Sequence, residues 1–64
     1  MLIKVKDNLI NVDGIKRIFK DSFDYPVKYT IGFYYNNDDI FKIEFNNEED
    51  RDWEFERLSI ILAR

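Results

Sequence analysis

The stretch "VKYTIGFYY" constrains the fold more than any other part of this chain, because Val27, Tyr29, Ile31, Phe33 and Tyr35 alternate strictly with Lys28, Thr30, Gly32 and Tyr34. A period of two sustained at this length defines a strand with one buried face. The following "IFKIEF" alternates too, placing Phe41, Ile43 and Phe45 against Ile40, Lys42 and Glu44. Residues paired directly across antiparallel strands share a face of the sheet, so the two runs select their own register. Setting Tyr35 against Ile40 would oppose Phe33 with Lys42. Setting Tyr35 against Asp39 instead opposes Phe33 with Phe41, Ile31 with Ile43 and Tyr29 with Phe45. The predicted connection is therefore Asn36-Asn37-Asp38, in which an Asn or Asp takes the left-handed conformation.

The N-terminal third is also strand-like. "LIKVK", the turn pair "DN" and "LINVD" read as a first hairpin, with Ile3 and Val5 alternating against lysines, and Ile10 and Val12 against Asn11 and Asp13. Gly14 permits a turn or bulge at "VDG" before "IKRIF" resumes as a strand. One bent strand over 9–19 is the alternative. "KDSFDYP" is read as the main loop, with Pro26 holding Tyr25 extended. Phe23 and Tyr25 are expected to close a core edge as lid residues, or else to stand exposed as contact residues.

The closing segment is predicted as a helix over about 47–63. Asn46 or Asn47 caps it, Glu49 stands three residues after Asn46 as in a capping box, Glu48, Glu49 and Asp50 complement its N-terminus, and Arg64 suits its opposite end. At about 100° per residue, Phe55, Leu58, Ile61 and Leu62 form one apolar stripe. Trp53 and Ile60 do not join it, but superpose nearly opposite, so Trp53 either reaches round to the sheet's edge or a loop aromatic, or stands exposed as an interface centre. The expected fold is α+β: one domain over 1–64, with about four antiparallel strands in a meander within 1–45 and the helix on one face. Phe33, Phe41, Ile31, Ile43, Tyr29 and Phe45 are expected to meet Phe55, Leu58, Ile61 and Leu62 in the core.

A chain of 64 residues buries only about 60% of its unfolded surface and is marginally stable on its own. Disulfides or a thiolate zinc site cannot compensate, because Cys and His are both absent. Association or very good packing can, and a homodimer is expected. The start "MLIKVKDN" lacks the apolar run of a signal peptide or spanning helix, so a soluble cytoplasmic protein without membrane contact is expected. The net charge of −3 conceals an asymmetry: residues 1–28 carry six basic against four acidic side chains, and residues 29–64 four against nine.

Chemistry narrows the function further. Nucleophilic catalysis needs an activated hydroxyl beside a base, and Ser22, Ser59 and Thr30 have no histidine to activate them. Asp38, Asp39 and the Glu48/Glu49/Asp50 cluster have structural reasons to be where they are, and neither calcium-loop spacing nor a glycine-rich phosphate loop is present. No enzyme, metal or cofactor is expected. Trp53 and Ile60 with Glu49 and Glu56 beside them, and Tyr34 and Ile40 on the sheet side away from the core, are the expected protein-binding residues. An acidic rim around an apolar centre suits a basic protein surface. The rival class is a small nucleic-acid-binding regulator using Lys16, Arg17, Lys20 and Lys28, with Lys4 and Lys6 in the same half of the chain. Overall acidity disfavours it, since the acidic helix repels phosphates unless it lies on the far side. A structural subunit of a larger assembly is the third class.

"LINVDGIKRI", the alternating hairpin and "EFNNEEDRDWEFERL" together resemble the short strand-rich proteins with a closing helix encoded by phages and prophages of AT-rich Gram-positive bacteria. Small acidic inhibitors of bacterial defence systems, such as anti-CRISPR and anti-Hachiman proteins, occur in that group. The resemblance implies an inhibitor that binds a host protein, and it transfers no individual site residue.

Overall fold

The computed structural model describes residues 1–36 and 38–63. Five strands precede one helix: β1 (Leu2–Val5), β2 (Asn8–Asn11), β3 (Ile15–Asp24), β4 (Val27–Tyr35), β5 (Ile40–Phe45) and α1 (Glu48–Leu62). The class is α+β. Strands β3, β4 and β5 form an antiparallel meander, while β1 and β2 form a separate two-stranded sheet, so there is a fifth strand and a second sheet beyond the expected meander.

The β4–β5 register is the one that the alternating faces select: Phe33 pairs with Phe41, Ile31 with Ile43 and Tyr29 with Phe45. The Tyr35 N–H donates to the Asp39 carbonyl at 3.0 Å, and Asp38 takes the left-handed conformation with φ 69°. Asn37, the middle of the expected turn, lies outside the described residues.

Two boundaries differ from expectation, and one open choice, at Gly14, falls to the expected turn. The first hairpin turns at Lys6–Asp7 rather than at Asp7–Asn8, with Val5 paired to Asn8 and Ile3 to Ile10. Lys6 accepts φ 55° there, and its ammonium donates to the Glu44 carbonyl at 2.7 Å beside the Phe45 ring. The turn is thus fixed by a tertiary anchor that local propensity does not reveal. Leu9–Phe19 is not one bent strand, because Gly14, at φ 86°, reverses the chain between two different sheets. Finally, Lys20–Asp24 continues β3, and only Tyr25-Pro26, joined by a cis peptide bond, remains as a turn. Polar residues on both faces conceal that strand end. Tyr25, 97% exposed, is no lid, and Phe23 is exposed as well.

The core gathers Val5 and Ile10 from the hairpin, Ile31, Phe33, Ile43 and Phe45 from the meander and Leu58 from α1. Phe55 and Tyr29 pack against it half-buried, and Ile61 and Leu62 are likewise only half-buried. Phe41 is a correction: it touches Phe33, with ring centroids 6.3 Å apart, yet remains 44% exposed. It sits near the start of the edge strand β5, which has a neighbouring strand on one side only.

Asn47, not Asn46, caps α1. Its side-chain oxygen accepts the Asp50 N–H at 2.8 Å, and its amide donates to the Asp50 carboxylate at 3.2 Å. The reciprocal pair is therefore Asn47/Asp50 rather than Asn46/Glu49. Arg64 at the far end lies outside the described residues. No helix among the described residues is long and apolar enough to cross a membrane.

Candidate functional site

Two unlike surfaces lie on opposite sides of the β3–β4–β5 sheet. Strand residues alternate between faces, so the side carrying Ile31, Phe33, Ile43 and Phe45 meets α1, and the side carrying Lys28, Thr30, Gly32 and Tyr34 faces away from it.

The outer face of α1 displays Trp53, 65% exposed, and Ile60, 61% exposed. They are one heptad apart and nearly in line, which places them together along the ridge away from the sheet. Glu49 and Glu56 fall on one flank of that ridge and make no ion pair with a described residue. On the other flank, Lys6, Phe45, Asn46, Asp50 and Glu54 share a groove with Trp53. Arg57 braces this flank, donating to the Lys4 carbonyl at 2.8 Å and pairing with Glu54 at 2.7 Å.

Tyr34 and Ile40 pair with each other across β4 and β5, on the sheet's outer face. They are thus brought together with one another but not with Trp53 and Ile60, which stand across the thickness of the molecule. The basic set divides similarly. Lys16, Arg17 and Lys28 belong to the outer face, whereas Lys20 points to the helix side, pairing with Asp52 at 3.6 Å over the Phe55 ring.

Phe19 and Asp21, which sequence patterning passed over, complete the outer face with Arg17 and Phe23. Pairing sets Arg17 beside Tyr34, Phe19 beside Gly32, Asp21 beside Thr30 and Phe23 beside Lys28. The Phe19 ring lies directly over Gly32, where any Cβ would collide with its far end. Arg17 is 5.4 Å from the Tyr34 ring and 5.6 Å from Phe19. Lys16 is 5.6 Å from Tyr34, and Lys42 is 5.3 Å from Phe23 and 5.9 Å from Phe19. Part of the signal was available: Arg17 and Phe19, in the run read as a strand, continue in alternation through Asp21 and Phe23 of the segment read as a loop.

Two carboxylates are held below their ordinary value of 3.8. For Asp21 the main cause is the hydrogen bond from Lys42, then the Ser22 N–H; for Asp52 it is the hydrogen bond from Arg51, with Lys20 contributing. A depressed folded pKa gives stability that is present above the unfolded value and lost as pH falls through the folded one. Thermal stability is therefore expected to fall below about pH 4. Replacing both residues with Asn should flatten that acid limb in a series of melting curves, and an unchanged slope would assign it to other carboxylates.

Among the described residues no three carboxylates converge to hold a cation. The hydroxyls of Ser59 and Thr30 donate to the backbone carbonyls of Phe55 and Asp21. Fold and surface together define a small α+β domain with one acidic-flanked apolar face and one aromatic, cation-bearing face. Compared with protein-family models, with curated proteins and with solved structures, the chain matches none of them.

Proposed function

We propose that this chain is a non-enzymatic protein-binding module that docks through the outer face of α1, first of all to a second copy of itself. The observation that carries this is the exposure of Trp53 and Ile60 together on the ridge of a helix whose other side is already committed to the core. Tryptophan is among the residues most enriched at the energetic centre of interfaces, and a marginal small domain gains stability directly from a subunit that buries it. The two flanks differ in charge: Glu49 and Glu56 stand on one, while on the other Lys6 and Arg57 offset Asp50 and Glu54. A two-fold axis parallel to the helix brings unlike flanks together. The same face suits the inhibitor role that the resemblance to phage-encoded proteins implies, with a basic surface of a host defence protein as the occupant.

The test is molar mass by light scattering after size exclusion, over a concentration series. The native chain should dimerise, and Trp53→Ala should weaken the dimer by about 2 kcal/mol or more, roughly thirty-fold, while leaving the monomer's circular dichroism intact. A native chain monomeric at every concentration removes self-association. A dimer indifferent to Trp53→Ala moves the interface away from α1.

A further inference from the structure

We infer that the outer face of the β3–β4–β5 sheet binds single-stranded nucleic acid, with Tyr34, Phe19 and Phe23 as stacking platforms and Lys16 and Arg17 as phosphate contacts. Single strands are held by aromatic rings on which bases stack, combined with cations that follow the backbone. This face supplies both. Phe19 is the diagonal neighbour of Tyr34, about 7–8 Å away across the strands, and Phe23 lies four residues further along β3, about 13 Å on. Gly32 allows the Phe19 ring to lie flat on the sheet, where a side chain would have lifted it.

Charge favours an anionic occupant at one end. Lys42 is paired with Asp21 and Lys28 with Glu44, and the Tyr34 hydroxyl donates to Asp38. Lys16 and Arg17 have no carboxylate partner among the described residues and rest only on aromatic rings. The overall acidity that argued against nucleic acid is concentrated on α1, where Glu48, Glu49, Asp50, Asp52, Glu54 and Glu56 oppose only Arg51 and Arg57. The helix lies behind the sheet, so its charge faces away from this surface. Single strands are favoured over duplex because the rings need unpaired bases to stack on, while on this face only Lys16 and Arg17, among the described residues, are free of a carboxylate.

The experiment is fluorescence anisotropy of a labelled oligothymidylate of about 15 nucleotides, titrated with the native chain between about 50 and 200 mM salt. Binding should weaken with salt, with a log–log slope of about −1.4, as two neutralised phosphates require. Phe23→Ala, an exposed site, should weaken binding about 5- to 100-fold, and Lys16→Gln with Arg17→Gln should flatten the slope. Four results would each overturn the proposal: no anisotropy change at the lowest salt, equal affinity for a duplex of the same length, indifference to Phe23→Ala, or displacement by polyglutamate as effective as by unlabelled oligothymidylate.

Discussion

Phe33→Ala is expected to remove between about a third and all of the domain's stability. Phe33 is fully buried at the centre of the middle strand, between Ile18 on β3 and Phe41 on β5. Truncating a buried Phe costs about 3–5 kcal/mol, from lost transfer energy and from the cavity that remains. A domain of this size has roughly 3–10 kcal/mol in total, and its weaker covers, Phe41 and the half-buried Ile18, cannot collapse into the space without leaving their own strands. Urea titration followed by circular dichroism measures the loss. Phe33→Leu should retain much of the stability by keeping most of the volume. A Phe33→Ala midpoint within about 1 kcal/mol of native would mean that the core closes differently.

Arg51→Ala should have the second largest effect. Arg51 is only 6% exposed although charged, and its guanidinium serves three elements at once. It donates to the Asp21 carbonyl on β3 at 2.8 Å, to Asp52 on its own helix at 2.8 Å, and lies 5.5 Å from the Tyr29 ring on β4. Losing a charged hydrogen bond together with the packed stem costs about 2–3 kcal/mol. Arg51→Met should lose less, because the stem is kept and the Asp21 carbonyl retains the Thr30 hydroxyl as a donor. Both variants should let the Asp52 carboxyl rise toward its ordinary value, since Arg51 is the main cause of its depression. Carboxyl titration by NMR reads this separately from stability. If Arg51→Ala melts like the native chain, the guanidinium is not the clasp between helix and sheet.

The clearest parts of this fold were those where burial writes itself as a period. The β4–β5 register followed from Phe33, Ile31 and Tyr29 having to find apolar partners, and the apolar stripe on α1 followed from its spacing. Arg51 shows where that logic stops. It stands four residues before Phe55 and seven before Leu58, on the core-facing side of the helix, and its charge alone kept it out of the expected core. The end of β3 was hidden for a related reason. Lys20 and Ser22 lie on the helix-facing side, and Phe19 and Phe23 on the open side, so a rule of apolar-inside reads the segment backwards. The candidate surfaces divide likewise. Trp53 and Ile60 were visible on a helical wheel, whereas the Phe19–Phe23–Tyr34 row depends on pairing β3 with β4, which no local pattern specifies.

The separateness of the β1–β2 ribbon bears on how the molecule assembles. Every strand-to-strand connection is short, so each ladder closes between neighbours in the chain, and topology of this kind folds quickly. The ribbon shares no ladder with the meander. It is fastened by Lys6 to Glu44, 38 residues away, and by Arg57 to Lys4, 53 residues away, with Val5 and Ile10 inserted beneath. These are the contacts whose loop-closure entropy is greatest. Docking of the first ten or so residues onto the last helix is therefore the topologically costly step, and the two extremes of the chain become native together.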